Sequence, residues 1–225
     1  MENSEKLSLV GQLSASIAHE IRNPLTTLKG FLQLIKSQGE FTPTYIDLML
    51  SEMDRIESIT SELLLLAKPQ AIEFQEENMK DIIFDVVTLL QSQALMKNVE
   101  IIFLYEEVGS IYCVSSQMKQ VFINIIKNAI EAMSEAGVIY VRLTNLDKYY
   151  ILIEVIDEGC GIPEELASNI GLPFYSTKEK GTGLGMLTTY KLVNDHGGTI
   201  TFDSKVGEGT TFKIQLPRKT LKMGI

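Results

Sequence analysis

The 225-residue sequence has no tryptophan, two cysteines and two histidines. Cys113 and Cys160 form no CxxC pair, which argues against a disulfide framework and fits a reducing cytoplasm. Positive charge is the minority sign, with 20 Lys and Arg against 29 Asp and Glu and a net charge of −9. That balance argues against nucleic acid or an anionic membrane surface as the main partner. A nucleotide would have to be gripped locally, by backbone amides, a metal or a few lysines. Long apolar runs are missing as well. The longest, LLLLA at 63–67 among them, fall far short of the roughly 20 residues of a membrane helix. The N-terminus has no signal-peptide pattern, and no internal repeat or low-complexity tract is visible.

What is present is a chain that is 45% hydrophobic, enough for real cores, in two differently patterned parts. Leu9, Leu13, Ile17, Ile21, Leu25, Leu28, Leu32 and Ile35 recur at steps of three and four. This predicts an amphipathic helix over 5–37. Thr42 and Pro43 read as an N-cap and first helical residue. A second helix follows, its seam made by Ile46, Met49, Met53, Ile56, Thr60, Leu63 and Ala67, and Pro69 ends it. A lone antiparallel hairpin cannot cover its own apolar stripes. A second copy would cover them by forming a four-helix bundle; packing on the rest of the same chain is the alternative.

Beyond Pro69 the pattern changes. Helices are expected at 82–90, 116–133 and 187–194. Strands are expected at 99–105, 138–144, 149–157, 199–204 and toward Pro217, with the second and third paired. Helices and strands do not alternate strictly, so the class is α+β. The boundary falls near 69–76, giving segments 1–70 and 71–225.

The stretch SIAHEIRNPL (16–25) carries the first candidate site. At about 100° per residue, His19 lies on the face opposite the apolar stripe, among the small residues Ala15, Ser16 and Ala18. No histidine or cysteine stands one turn away, so a local metal pair is not expected. Glu20 could take a proton from one ring nitrogen and leave the other as a nucleophile; an ordinary surface histidine is the competing reading. Pro24 should remove a backbone hydrogen bond and loosen the helix just past the site.

Three clusters follow in the second part. In NIIKNAIEA, Asn124 and Asn128 share a helix face and could offer amide oxygens to a hard cation, or simply be polar. In DEGCGIP, Asp157 at a strand end, followed by Gly159 and Gly161, could accept a hydrogen bond from an exocyclic amine, or mark a tight turn. In PFYSTKEKGTGLGM, Gly181, Gly183 and Gly185 precede a helix and could present amides to phosphate, or be a flexible turn. His196, before two glycines at a helix end, reads as a cation near the last carbonyls or as a plain cap. Cys160 reads as a small neighbour of a nucleotide, with nothing that activates its thiol.

Taken together and in this order, these segments resemble the boxes of the sensor histidine kinases over essentially the whole chain. SIAHEIRNPL is similar to the H box and NIIKNAIEA to the N box. DEGCGIP is similar to the first glycine box, PFYSTK to the F box and GTGLGM to the second glycine box. The short lid and the NAIEAM ending look most like the subgroup that contains the sporulation kinases.

The resemblance implies a dimeric helical hairpin at 1–70 for phosphotransfer. It also implies, at 71–225, an α/β-sandwich ATP-binding domain of the gyrase, Hsp90 and histidine-kinase type. It implies that His19 accepts the γ-phosphoryl group of ATP, that Glu20 is its general base and that Asn23 serves phosphatase chemistry. It implies Asn128 and Asn124 on Mg²⁺ and phosphates, and Asp157 on the adenine amine beside Gly159 and Gly161. Gly181, Thr182, Gly183, Leu184 and Gly185 would hold phosphates, with Lys178 as a lid cation and Lys127 as a further contact. Where hydrolysing relatives have a catalytic glutamate, this chain has Asn124, which cannot deprotonate water. Where many members have lysine, it has Glu131, so a phosphate contact there is not expected. The implied partners are a second copy, the receiver domain of a response regulator and a protein inhibitor on the hairpin. Nucleic acid is not among them, and a membrane would enter only through a sensor region absent from this sequence. A fragment of a longer protein is expected.

Overall fold

The computed structural model describes residues 2–39, 42–67, 73–173, 175 and 183–218, with the side chains of 2–17, 38, 58 and 61–67 left aside. Two compact units are found, one of residues 1–70 with 171–185 and one of 71–170 with 186–225.

The first unit is built on helices α1 (Glu2–Gln38) and α2 (Pro43–Ala67). They pack on each other, with the Phe31 and Tyr45 rings 5.3 Å apart. Pro24 is buried inside α1, and the helix runs through it unbroken. Proline removes the donor that the Glu20 carbonyl would receive. The hydroxyls of Thr26 and Thr27 bond back to the carbonyls of Arg22 and Asn23, at 2.8 and 3.3 Å, along the same turn. α2 begins at Pro43, but Thr42 does not cap it with its side chain. Thr42 Oγ1 is buried without a partner among the described residues, and the first turn is closed by the Tyr45 amide on the Thr42 carbonyl at 3.0 Å.

The second unit contains β1 (Gln75–Asn78), α3 (Met79–Leu95), β2 (Val99–Tyr105), β3 (Ser110–Cys113), α4 (Ser115–Ala132), β4 (Gly137–Asn145), β5 (Tyr150–Asp157), α5 (Glu164–Ala167), β6 (Thr199–Lys205) and β7 (Gly209–Pro217). Helix α6 (Gly185–Asp195) takes all but its first residue from this unit. β1 and β3, which the sequence pattern does not mark, pair antiparallel as a small ribbon. The main sheet has the order β2-β4-β5-β7-β6, with β2 and β4 parallel and the other neighbours antiparallel. Asn78 caps α3 by accepting the Lys80 amide at 3.0 Å. α3 and α4 pack together and against β2 and β5. Ile83, Phe122, Ile126, Ile139, Leu143 and Ile153 are fully buried between them and elsewhere in this core.

Strand alternation sets the functional position. Ile151, Ile153, Val155 and Asp157 are the buried residues of β5, so the carboxylate occupies an inward register otherwise held by branched aliphatics. Across the strand pair its partner is Thr210, itself buried.

Candidate functional site

In the first unit, His19 is exposed on α1, on the solvated side that the helical rotation predicts. Asn23, one turn on, is exposed too. Glu20 is half-buried, and its Oε2 accepts a hydrogen bond from Arg55 Nη2 of α2 at 3.1 Å. Sequence reasoning missed Arg55, which stands 35 positions away on the other helix.

In the second unit, α4 presents Asn124 and Asn128, both half-buried, with Lys127 exposed between them. The Asn124 amide is already engaged at both ends. Its oxygen accepts from Gln120 Nε2 at 3.1 Å, and its nitrogen donates to Thr189 Oγ1 of α6 at 3.3 Å. The lateral partner Thr189 is fully buried and was not foreseen.

Asp157 is 5% exposed. Burial pushes its carboxyl up from the ordinary value, while hydrogen bonds from the Gly159 and Thr210 amides pull it back down. The Gly159 amide donates to Oδ1 at 2.9 Å. The backbone packs closely through this turn. Gly161 has φ +68, and a Cβ there would lie 2.2 Å from the Lys205 carbonyl oxygen. Gly209 has φ +107, and its Cβ would lie 2.0 Å from the Asp157 carbonyl oxygen. Only glycine fits both the backbone angle and the space. A buried carboxylate at a strand end is an acceptor of the kind an exocyclic amine needs, so Asp157 fits an adenine.

Gly183 has φ +67, Leu184 is buried and Gly185 opens α6. Lys178, Gly181 and Thr182 lie outside the described residues, as do Phe174, Ser176 and Thr177 of the PFYSTK segment. Cys160, three positions after Asp157, is exposed.

His196 decides between the two sequence readings in favour of the plain cap. It is 2% exposed and burial holds its imidazole below the ordinary histidine value, so it is a neutral cap and not a cation. Nδ1 sits 2.8 Å from the Leu192 carbonyl, and Nε2 accepts the Val114 amide at 3.1 Å. The ring also packs on Phe74, with centroids 4.9 Å apart. The histidine thus ties the end of α6 to the start of α4.

Residues 9–72 match the family described as "His Kinase A (phospho-acceptor) domain", and residues 113–220 match "Histidine kinase-, DNA gyrase B-, and HSP90-like ATPase". Among curated relatives from Bacillus subtilis (strain 168), sporulation kinase A is 50% identical over 97% of this chain and 36% of its own length. Sporulation kinase E is 47% identical over 96% of this chain and 30% of its own. Sporulation kinase B is 37% identical, over 96% and 51%. The chain therefore spans about a third to a half of these relatives. The isolated catalytic domain of histidine kinase ThkA is 32% identical with a TM-score of 0.61, over 66% of this chain and 98% of that one. ThkA in complex with the response regulator protein TrrA is 31% identical with a TM-score of 0.81, over 97% of this chain and 65% of that one. Among the described residues, no helix is long and apolar enough to cross a membrane.

Proposed function

Because this chain belongs to the histidine kinases, we propose that it phosphorylates itself on His19 from ATP and passes the phosphoryl group to an aspartate of a response-regulator receiver domain. The observation that carries the reading is a division of labour. An exposed imidazole stands in the segment matched to phospho-acceptor domains, and a buried carboxylate ringed by glycines stands in the segment matched to ATPase-like domains. Residues 1–70 then dimerise and carry the phosphate, and residues 71–225 bind the nucleotide.

One ring nitrogen of His19 attacks the γ-phosphorus as the bond to the departing ADP oxygen breaks. Glu20 takes the proton from the other ring nitrogen. Asp157 holds the adenine amine. Gly181, Thr182, Gly183, Leu184 and Gly185 offer backbone amides to the phosphates, with Lys178 and Lys127 as cations. Mg²⁺, held through the amide oxygens of Asn128 and Asn124, would neutralise phosphate charge when bound. The same Asn124 disfavours a gyrase-type ATPase, because an amide cannot activate water as a base. Asn23 lies one turn from His19 and can orient a water that removes phosphate from the regulator's aspartate.

The whole protein, by likeness to its relatives, acts in the control of sporulation. Its N-terminal part supplies any membrane anchor, this part lies in the cytoplasm, and a protein inhibitor on the hairpin regulates it. The test is incubation of the chain with labelled ATP and Mg²⁺, followed by addition of receiver domains. Label appears on the wild type, not on His19→Gln, and moves to one receiver. Equal labelling of both variants contradicts the reading.

A further inference from the structure

We infer that Arg55 is a positioning residue for phosphoryl transfer, holding Glu20 by one carboxylate oxygen and leaving the other for the His19 imidazole. This rests on the reading of Glu20 as the proton acceptor and adds a partner from the second helix. Arg55 Nη2 meets Glu20 Oε2 at 3.1 Å, and the two side chains are 19% and 26% exposed. An exposed glutamate on a helix is free to sample several rotamers, and fixing it costs entropy. The contact across α1 and α2 meets that cost before the substrate arrives. The carboxylate follows directly after the exposed His19 in the chain, so its restraint bears on the reacting group.

The form of the contact is the second observation. An arginine placed for stability commonly grips a carboxylate with both arms of its fork, occupying both oxygens. The Arg55 contact uses a single Nη, and Arg55 Nε is buried with no partner among the described residues. A buried donor left without an acceptor weakens a fold. Departures from that rule gather where function imposes them. The one-armed grip spares Oε1, the atom that would accept the imidazole proton.

Without Arg55 the half-buried carboxylate loses its partner and turns to water. Proton removal from His19 then slows, while ATP binding belongs to the other unit and does not change. The experiment measures initial rates of label incorporation against ATP concentration for the full chain. Variants are Arg55→Met, Arg55→Lys, Glu20→Gln and the Glu20→Gln/Arg55→Met pair. Removing a general base slows transfer on the order of a hundredfold, so Glu20→Gln falls that far in kcat. Arg55→Met falls about tenfold in kcat with its KM for ATP within about twofold of wild type. Arg55→Lys regains most of the loss, because it restores a donor and a charge.

The pair is no slower than Glu20→Gln alone, because Arg55 acts only through that carboxylate. A wild-type kcat in Arg55→Met beside a slow Glu20→Gln overturns the inference and leaves the base in place. A further loss in the pair, equal to that of Arg55→Met alone, also overturns it, since Arg55 then acts on the bundle. A wild-type rate in Glu20→Gln removes the base assignment itself, and the inference with it. If Arg55→Met does not fold, Arg55→Gln, which keeps a polar group of similar reach, replaces it in the same comparison.

Discussion

The helical hairpin and the α/β unit treat their apolar side chains in opposite ways. Among the described side chains of α1 and α2, Pro24 and Ile59 are buried, while Leu25, Leu32, Leu50 and Met53 are 51%, 58%, 52% and 57% exposed. The α/β unit closes around Ile83, Phe122, Ile126, Ile139, Leu143 and Ile153, each fully buried. Burying one such side chain is worth about 1.5 to 3 kcal/mol, so a hairpin that leaves several in water is unfinished as a single copy. The α/β unit is finished as a core and unfinished as a site, since its buried Asp157 is a carboxylate held in an aliphatic register. One unit needs a second copy of itself; the other needs a nucleotide.

The largest effect that bears on this comparison is loss of assembly. Residues 1–70 alone sediment as a dimer at micromolar concentration, and residues 71–225 as a monomer. Leu32→Asp combined with Met53→Asp turns the first fragment into a monomer. A wild-type 1–70 fragment that is monomeric under those conditions breaks the contrast, because the exposed leucines would then be ordinary surface.

Next in size is the nucleotide. Asp157→Asn exchanges a charged acceptor for a neutral amide, at roughly 1.5 to 3 kcal/mol, or about 10- to 150-fold in affinity. ATP and ADP suffer alike, since both carry the adenine, and the dimer is untouched. Unchanged ADP affinity by calorimetry takes Asp157 out of the site.

The smallest effect is on stability against acid. His196 is neutral in the fold because burial lowers its value, with the Leu192 carbonyl and Asp195 opposing. The unfolded chain binds the proton more readily, so this stability is complete above the ordinary histidine range and lost as the pH falls through the lowered value. The 71–225 fragment therefore melts at a lower temperature in mild acid than at neutral pH. His196→Gln lowers the neutral-pH stability by about 1 kcal/mol and flattens that pH dependence. An equally steep acid slope in His196→Gln assigns the effect to other groups.

Legibility followed the distance over which each feature is determined. The α1 stripe, α4 and the paired strands β4 and β5 depend on periods within one segment, and their bounds differ from expectation by a few residues. The solvated setting of His19 and the strand-end place of Asp157 were legible, because each depends on a local run of sequence. β1 was not, since QEEN has no apolar alternation and is a strand only because β3 pairs with it. The passage of α1 through Pro24 was legible, because the apolar stripe continues past it, but the return of the Thr26 and Thr27 hydroxyls to the carbonyls of Arg22 and Asn23 was not. Arg55 on Glu20 and Val114 on His196 join residues 35 and 82 positions apart, which no periodicity encodes.

The contrast between a unit that displays a histidine and a unit that buries a carboxylate is tested most directly by locating the phosphate. The full chain is incubated with labelled ATP and Mg²⁺, digested at neutral pH, and the labelled peptide is sequenced. The account predicts label on the peptide containing His19, stable in base and lost in acid. Acid-stable label, or label on a peptide from 73–218, would contradict it.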